Sequence, residues 1–405
     1  MDRLRIVVTG LAITFPLGGV FWDYLQYGLG LQQLGHDVLY LEDTGGRWCY
    51  DVSAQTFTEG GEDNAARFRQ VIARLAPTLD GRWHFRDATN TIYGMSWEAV
   101  KEFCRTADLF VHNSAACLVR DEYQRARRLV FIDSDPMYTQ SSFPRYACGE
   151  AVGEEWARVD MLLHHDRFFT FGENVGTPGC RIPQDLVAWQ PTRQPIVLDL
   201  FTPTPADQRR PVLTTVGSWE TSETGPVVNG IAYGGKSREF ERFLDLPTRS
   251  RLPLELALSG PAPRPRLAAH GWRVIDGHEI SRDPVTYRDY LARSFAEWSV
   301  AKNAYVESRS GWFSCRSACY LALGVPVVVQ DTGFSRGMPT GEGLLAFSTL
   351  DEAAAAIERV LADPVGQSVA AREIAGEYFD ARTVLSRLIE QSLATTTPAG
   401  RPATA

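Results

Sequence analysis

The residues with the clearest chemical potential lie between positions 309 and 333, where the chain reads RSGWFSCRSACYLALGVPVVVQDTG. This pattern predicts a tight turn at Gly311 and then a helix near 314–323, with Ser314 and Ser317 around its start. The free N–H groups and the positive dipole end of such a helix start can bind an anion, and serine hydroxyls can donate to a phosphate. Glycine lets a backbone come close to a ligand, so Gly311 belongs to the same hypothesis. The stretch therefore favours binding of a phosphorylated molecule.

A second candidate loop follows this helix. A Gly-Val-Pro turn at 324–326 leads into a buried strand at 326–330, which ends at Asp331 and Thr332. Ligands of open parallel sheets bind beyond the carboxyl ends of the strands, so we expect both loops to face one pocket and both residues to contact the ligand. The alternative is that 311–326 is an ordinary strand–turn–helix–strand unit whose residues are all structural.

Three more residues could touch a phosphate. Gly217 and Ser218 follow a predicted strand at 211–216, and Lys236 precedes a predicted helix at 237–244. For Lys236 the functional interpretation is a phosphate contact, and the structural one is a solvated surface side chain.

Two similar series of strands and helices must position these residues. The first opens with a β-α-β unit, and a proline-rich stretch at 183–211 separates it from the second. Such alternation predicts an α/β protein with two doubly wound domains facing across a cleft. The first series has strands at 5–13, 36–41, 108–112, 129–133 and 167–171, and helices at 20–34, 64–76, 97–106 and 119–127. The second has strands at 211–216, 254–258, 272–275, 304–307 and 326–330, and helices at 237–244, 284–293, 314–323, 351–361 and 367–393.

The domain boundaries follow from these series. The expected order is a first domain (1–185), a linker (186–210), a second domain (211–380), a closing helix packing back on the first domain (381–394) and a disordered tail (395–405).

The stretch 309–333 resembles the donor-binding region of GT-B glycosyltransferases, which have two Rossmann-like domains and use nucleotide sugars. In their plant and natural-product branch the signature runs His-Cys-Gly-Trp-Asn-Ser, then Glu, then Gly-Val-Pro, then Asp-Gln. Here the corresponding residues read RSGWFS from 309, Ser at 317, GVP from 324 and DT from 331. The match is sharp over about 25 residues and loose over nearly the whole chain.

The resemblance also implies roles. Arg309 stands where the family has its diphosphate-binding His, and a guanidinium can hold a phosphate with two hydrogen bonds. Ser317 replaces the ribose-binding Glu, so recognition of the ribose departs from the family pattern. Gly217 and Ser218 would lie near the diphosphate, and Asp331 with Thr332 would bind the hydroxyls of the donor sugar.

The resemblance further implies a general base in the first domain if the reaction inverts the sugar configuration. The family's catalytic His would fall near Val20, where this chain has none. The candidate catalytic residues are Asp23, in the first turn of the predicted helix, and Asp135, which follows a strand. Asp23 also fits helix capping, and Asp135 also fits a turn before proline. His112 is a third option, and a retaining mechanism would need no such base.

The expected function is transfer of a hexose from a UDP- or dTDP-sugar to a small soluble acceptor such as a natural product or nucleoside, without metal or other cofactor. The alternatives are a nucleotide-sugar epimerase of the same fold and a non-catalytic nucleotide-sugar-binding partner.

Composition argues against several other kinds of partner and site. The 405 residues carry a formal charge of −8, which argues against a nucleic-acid polymer as partner. Seven cysteines without a CxxC pair fit a reduced, cytoplasmic chain better than a disulfide framework or a zinc site. The sequence holds no run of about 18 apolar residues, so we expect no membrane-spanning segment.

Overall fold

The computed structural model describes residues 2–219 and 225–394, so the predicted disordered tail lies outside the described residues. These residues form two halves, each built on one large sheet.

The first half has ten strands and five helices among the described residues. The strands are β1 (Arg5–Thr9), β2 (Asp37–Asp43), β3 (Cys49–Asp51), β4 (Thr56–Thr58), β5 (Trp83–Arg86), β6 (Ile92–Gly94), β7 (Leu109–Asn113), β8 (Leu129–Asp133), β9 (Arg167–Thr170) and β10 (Trp189–Pro191). The helices are α1 (Gly18–Gln33), α2 (Glu62–Leu75), α3 (Trp97–Arg105), α4 (Phe143–Ala147) and α5 (Gly153–Leu163).

The second half has eight strands and nine helices among the described residues. The strands are β11 (Arg210–Ser218), β12 (Val227–Val228), β13 (Ile231–Ala232), β14 (Leu254–Ser259), β15 (Arg273–Asp276), β16 (Ser294–Ser299), β17 (Val327–Gln330) and β18 (Leu344–Phe347). The helices are α6 (Lys236–Phe240), α7 (Arg264–Ala269), α8 (Gly277–Ser281), α9 (Pro284–Ala292), α10 (Asn303–Ser308), α11 (Cys315–Ala322), α12 (Leu350–Ala362), α13 (Pro364–Tyr378) and α14 (Ala381–Leu393).

Both large sheets are doubly wound. The first has the order β10-β9-β8-β7-β1-β2-β5-β6, parallel except for β6, and the second is parallel throughout with the order β15-β14-β11-β16-β17-β18. Central strands such as β1, β7 and β8 are apolar runs buried on both faces, as parallel sheets covered by helices require. The predicted fold class, two doubly wound α/β domains, is confirmed.

The last helix of the described chain returns to the first half. A Cβ atom on Gly30 of α1 would lie 2.5 Å from Leu385 Cδ1 and 2.8 Å from Ala381 Cβ of α14. Any larger residue at Gly30 would therefore push the two helices apart.

The two halves also meet across the cleft. Trp22 Nε1 of α1 donates to the carbonyl of Pro284 at 2.9 Å, and Nε2 of His278 lies 2.8 Å from the carbonyl oxygen of Val52. Lys302 pairs with Asp135 across the same gap. The described conformation is therefore a closed one.

Four local predictions were wrong. Residues 304–307 belong to the helix α10, because a strand there would follow β16 too closely for a parallel crossover. β16 itself was missed, since the charged Glu297 interrupts its apolar pattern. The predicted helix at 119–127 is reduced to a single 3₁₀ turn, Tyr123–Arg125. The predicted helix at 367–393 is two helices, α13 and α14, with non-helical backbone at Phe379 between them.

Candidate functional site

The loop before α11 is built from residues with left-handed backbone. Arg309 ends α10 with φ 52°, and Gly311 follows with φ 76°. Ser314 is the N-cap residue of α11 but makes no capping hydrogen bond with its side chain, so its hydroxyl can serve another partner. The predicted helix start near 314 is confirmed.

The two predicted loops lie against each other. The Gly311 N–H donates to the carbonyl of Thr332 at 3.0 Å, and Thr332 Oγ1 donates to the carbonyl of Trp312 at 2.6 Å. The carboxylate of Asp331 accepts from the Gly333 N–H at 2.7 Å and from the Ser335 hydroxyl at 2.6 Å. The expected meeting of both loops is confirmed, and the side chains of Asp331 and Thr332 are used to shape them.

Asn174, from the first half, holds both loops through hydrogen bonds, a role that the sequence did not predict. Its Nδ2 donates to the carbonyls of Arg309 at 3.1 Å and Gly333 at 3.0 Å. A Cβ atom on Gly311 would lie 2.9 Å from Asn174 Cγ, and one on Gly333 would lie 2.6 Å from Asn174 Nδ2. In the described conformation Gly311 thus permits the close approach of Asn174, and its predicted contact with a ligand stays a prediction.

Two half-buried cations meet at the end of β11. A Cβ atom on Gly217 would lie 3.3 Å from Lys236 Nζ and 3.6 Å from Arg316 Nη1. Arg316 also donates to the Glu297 carboxylate at 2.7 Å and to the carbonyl of Val216 at 2.9 Å. Burial, followed by the charges of Arg316 and Lys302, lowers the pKa of Lys236 to about 7. Lys236 is therefore half-buried beside Arg316, and not a fully solvated surface side chain.

Arg316 is the functional candidate that sequence reasoning missed. It lies in the first turn of α11, where the helix dipole disfavours a positive charge. A basic residue in that position was a usable signal, because an unfavourable place for a positive charge predicts a nearby anion, and Glu297 provides one.

The remaining predicted donor residues lie around this pair. Ser317 is fully buried, and its Oγ has no hydrogen-bond partner among the described residues. Ser317 and Ser314 line a cavity of about 10 Å³, and Ser218 with Lys236 lines another of about 30 Å³. Arg309 is exposed, with Nη1 3.9 Å from the Cβ position of Gly179 in the first half.

Asp23 projects from α1 towards the same place. Its carboxylate accepts a hydrogen bond from the Cys315 thiol and lies near Arg316, yet burial dominates and raises its pKa to about 7. Since α1 begins at Gly18, Asp23 lies beyond the first turn. The alternative role in capping is therefore wrong, and the carboxylate lies between the two halves.

The other acid–base candidates are engaged elsewhere. Both carboxylate oxygens of Asp135 accept from Lys302 Nζ at 2.9 Å, and that ammonium also lies 4.3 Å from the ring centroid of Tyr138. His112 is fully buried, 3.1 Å from His165 Nε2 and 3.0 Å from the carbonyl of Cys117. Neither side chain is free in this conformation.

Within residues 2–219 and 225–394, no group of three or more His, Cys, Asp or Glu side chains could hold a metal ion. In the same residues no helix is long and apolar enough to cross a membrane.

No protein-family model and no curated protein sequence matches the chain. Solved structures with a similar fold include AviGT4, a glycosyltransferase involved in avilamycin A biosynthesis, at 14% identity and TM-score 0.53, covering 96% of this chain and 97% of that one. An alpha-glucosyltransferase in complex with UDP is 10% identical with TM-score 0.57, covering 97% and 100%. HepE from Anabaena, in complex with UDP and glucose, is 11% identical with TM-score 0.53, covering 96% and 99%.

At these identities the likeness establishes the fold alone. The order of the two sheets, the contact between the halves and the near-complete coverage of both chains agree with it. The chain thus has the GT-B fold, with two Rossmann-like domains facing across a cleft.

Proposed function

We propose that the protein transfers a hexose from a UDP- or dTDP-sugar to a small soluble acceptor such as a natural product or nucleoside, without a metal ion. The observation that carries this proposal is the pair of half-buried cations, Lys236 and Arg316, which lie beside Gly217 at the end of β11. Glu297 is the one carboxylate that bonds to this pair among the described residues, which leaves a net positive charge where a diphosphate would sit.

The two cations would act on the leaving group. As the bond to the sugar breaks, negative charge develops on the nucleoside diphosphate, and fixed positive groups in a dry site stabilise it most. The Ser314 hydroxyl and the free N–H groups of α11 would add hydrogen bonds. Gly217 and Ser218 would contribute at the end of β11, while Arg309 would reach the donor from the rim of the cleft.

The donor sugar would rest against the second loop. Asp331 already accepts three hydrogen bonds within the loop, but a carboxylate has about four acceptor sites, so it can still receive a sugar hydroxyl. Thr332 would act through its backbone, because its hydroxyl holds Trp312. Ser317 would take part only through the small cavity that it lines.

Asp23 is the better candidate for the general base. A carboxylate whose pKa is about 7 can hold a proton and release it near neutral pH. Asp135 would first have to leave Lys302. Asp23 therefore carries the acceptor-activating role if the reaction inverts the sugar configuration.

The halves must separate to admit the donor. Cavities of about 10 and 30 Å³ at the cations are far smaller than the roughly 300 Å³ of an ordinary ligand pocket. The contacts of Asn174 and the pair of Lys302 with Asp135 would break as the cleft opens. Catalysis would follow closure, which excludes water and strengthens the charges.

The two other candidate functions differ in turnover. An epimerase would convert the donor without an acceptor, and a binding partner would turn nothing over. The position of Asp23 near Arg316 supports a transferase, since one base suffices to activate an acceptor, whereas an epimerase would need several carboxylates converging on the sugar and a binding partner would need no base. The charge of −8 disfavours a nucleic-acid acceptor.

The first experiment is a thermal-shift series with UDP, dTDP, GDP and ADP, repeated on Ser314→Ala and Arg309→Ala. At a hundredfold excess over its dissociation constant, the correct nucleotide should stabilise the protein by about 2.7 kcal/mol. We expect one nucleotide to raise the melting temperature and Ser314→Ala to reduce the shift more than Arg309→Ala. A protein that none of the four nucleotides stabilises would overturn the donor site.

A second experiment separates the three functions. Release of the nucleoside diphosphate is followed with and without a panel of acceptors. Release that depends on acceptor supports the transferase, whereas conversion of the donor alone or no conversion of any donor contradicts it.

A further inference from the structure

Lys302 is a third cation at the cleft, and the proposed function assigns it no ligand. Its side chain is 16% exposed, and its ammonium bonds to both carboxylate oxygens of Asp135 at 2.9 Å. The same ammonium lies 4.3 Å from the ring centroid of Tyr138 and 5.3 Å from that of Tyr305. Its counter-ion therefore comes from the first half, whereas Lys302 itself belongs to the second.

Lys302 lies beside Lys236 because the two chain segments that carry them are hydrogen-bonded to each other. The N–H of Asn303 donates to the carbonyl of Gly235 at 3.1 Å, and the N–H of Gly234 donates to Oδ1 of Asn303 at 2.9 Å. Each lysine is next in sequence to a residue of this junction. The electrostatics agree: burial comes first among the causes that lower the pKa of Lys236 to about 7, and the charge of Lys302 is another.

A buried network holds the backbone on both sides of Lys302. The N–H of Ala301 donates to Oε1 of Gln330 at 3.2 Å, and Nε2 of Gln330 donates to Glu239 at 2.6 Å. The other oxygen of Glu239 accepts from Nδ2 of Asn303 at 2.6 Å. The three side chains of this network are at most 3% exposed. The stem of Lys302 therefore starts from a rigid support, which reduces the entropy lost when an anion binds.

Asp135 lies against the loop before α11. Nε1 of Trp312, in that loop, donates to the carbonyl of Ser134 at 3.0 Å, and the ring centroids of Trp312 and Tyr305 are 4.3 Å apart. The side chain of Asp135 is 44% exposed. An anion of the first half thus lies beside the loop and the helix start that the proposed function gives to the diphosphate.

The charges at this place match a diphosphate once Asp135 is withdrawn. Among the described residues of the second half, one carboxylate, that of Glu297, bonds to any of the three cations Lys236, Arg316 and Lys302. With Lys236 protonated, the balance is two positive charges, equal and opposite to the doubly charged diphosphate of a nucleotide sugar. With Asp135 in place the balance falls to one, and its carboxylate repels the phosphates.

We propose that Lys302 is a third cation of the donor site and that Asp135 is an internal counter-ion, which the diphosphate displaces from it. In the closed protein without nucleotide the carboxylate neutralises the ammonium, and in the complex a phosphate oxygen takes its place. One anion is exchanged for another, so no covalent bond changes. The proposal rests on the proposed function for the identity of the ligand.

The test is calorimetric titration of the full chain with UDP, dTDP, GDP, ADP and inorganic pyrophosphate. For an anion that binds, Asp135→Asn should raise the affinity about three- to tenfold, because the competing carboxylate is gone. Lys302→Met should lower the affinity about 10-fold or more, because a charged hydrogen bond is lost. The two partners of one ion pair thus have opposite effects, which loss of a merely structural contact would not produce.

Two controls separate displacement from other causes. The double variant of Lys302→Met and Asp135→Asn should bind the anion about 10-fold more weakly than Asp135→Asn alone, and here no unpaired carboxylate remains to repel the anion. Arg74→Met removes another ion pair between the halves, that of Arg74 with Asp283 at 3.0 Å, and should leave the affinity unchanged. Asp135 is 44% exposed, so its variant tests the proposal even where Lys302→Met is unstable.

Three results would overturn the proposal: an affinity of Asp135→Asn equal to or below that of the wild type, equal affinities of the double variant and Asp135→Asn, or a gain in Arg74→Met as large as in Asp135→Asn. Binding of none of the five anions would overturn it as well. Failure of the proposed function is distinguishable, because displacement is measured by binding alone. Opposite effects of the two variants on binding, with no acceptor-dependent release of nucleoside diphosphate, would support the displacement and contradict the transferase.

Discussion

The carboxyl ends of the two sheets carry charges of opposite sign, buried in the first half and half-buried in the second. In the first half they are carboxylates, Glu42, Asp43 and Asp133, each at most 1% exposed. In the second half they are the cations Lys236 and Arg316. The same position in two similar folds is therefore used in two ways.

The carboxylates are fully occupied. Asp133 accepts from Thr139 at 2.6 Å and from Gln140 and Thr170 at 2.7 Å, and these bonds hold the loops that follow β8 and β9. Glu42 accepts from the N–H groups of Ile13 and Thr14 at 2.8 Å. These groups stabilise loops and have little capacity left for a ligand.

Of the two cations, Arg316 is paired with the Glu297 carboxylate, but Lys236 is not balanced in this way. Lys236 makes no ion pair with any described carboxylate, and its pKa is lowered because the buried charge is costly. The difference teaches that a satisfied buried charge is structural, whereas an unsatisfied one marks a place for a ligand of opposite sign.

The largest effect should come from replacing a carboxylate that stabilises loops. Asp133→Ala leaves four donors without their acceptor, and we expect the free energy of unfolding to fall by about 3 kcal/mol. Urea denaturation measures this, with Asp133→Asn as the milder control. Nucleotide affinity of the folded variant should be unchanged. Loss of affinity without loss of stability would contradict the purely structural role of Asp133.

The second largest effect should come from replacing the unpaired cation Lys236. In Lys236→Met a charged hydrogen bond to the diphosphate is lost, so nucleotide affinity should fall about 10- to 100-fold by calorimetry. Stability should stay the same or rise, because an unpaired buried charge is removed. The control is Lys101→Met, on the exposed face of α3. Lower stability with intact affinity would make Lys236 structural.

A third prediction concerns the protonation of Lys236 when a nucleotide binds. Since the pKa of Lys236 is about 7, the amine is mostly neutral at pH 8, and a bound diphosphate should raise that pKa again. Nucleotide binding at pH 8 should therefore take up between about 0.5 and 1 proton. Calorimetry in Tris and in HEPES measures the uptake, which Lys236→Met should abolish. Equal heats in both buffers would contradict the prediction.

The smallest effect concerns Asp23. Because its folded pKa of about 7 exceeds the unfolded value near 4, the folded state holds an extra proton between these values. Its contribution to stability is full below pH 4 and is lost as pH rises to 7. Asp23→Asn should thus raise the melting temperature at both pH 5 and pH 8, by on the order of 2 °C more at pH 8. A shift of equal size at both values would argue against the raised pKa.

Local pattern predicted most of the fold and part of the site. The start of α11 near Ser314, the strand leading to Asp331 and the meeting of both loops followed from turn residues and apolar runs. Such signals act within one or two elements, so they are readable without the tertiary structure. β16 was missed because the charged Glu297 interrupts a buried strand. The strand predicted at 304–307 was wrong because the chain after β16 is too short there for a crossover to another parallel strand.

By itself, the sequence determined the order of strands and helices, the class of fold and the loops where a ligand could bind, because periodicity and glycine turns are local properties. The tertiary structure decided which side chains meet there. Lys236 and Arg316 are 80 positions apart in the chain, and only the packing of α6 and α11 around β11 brings them together over Gly217. Asn174 and Asp23 reach the same cleft from the other half. Their charge states follow from burial and from neighbours across the cleft, which no local pattern contains.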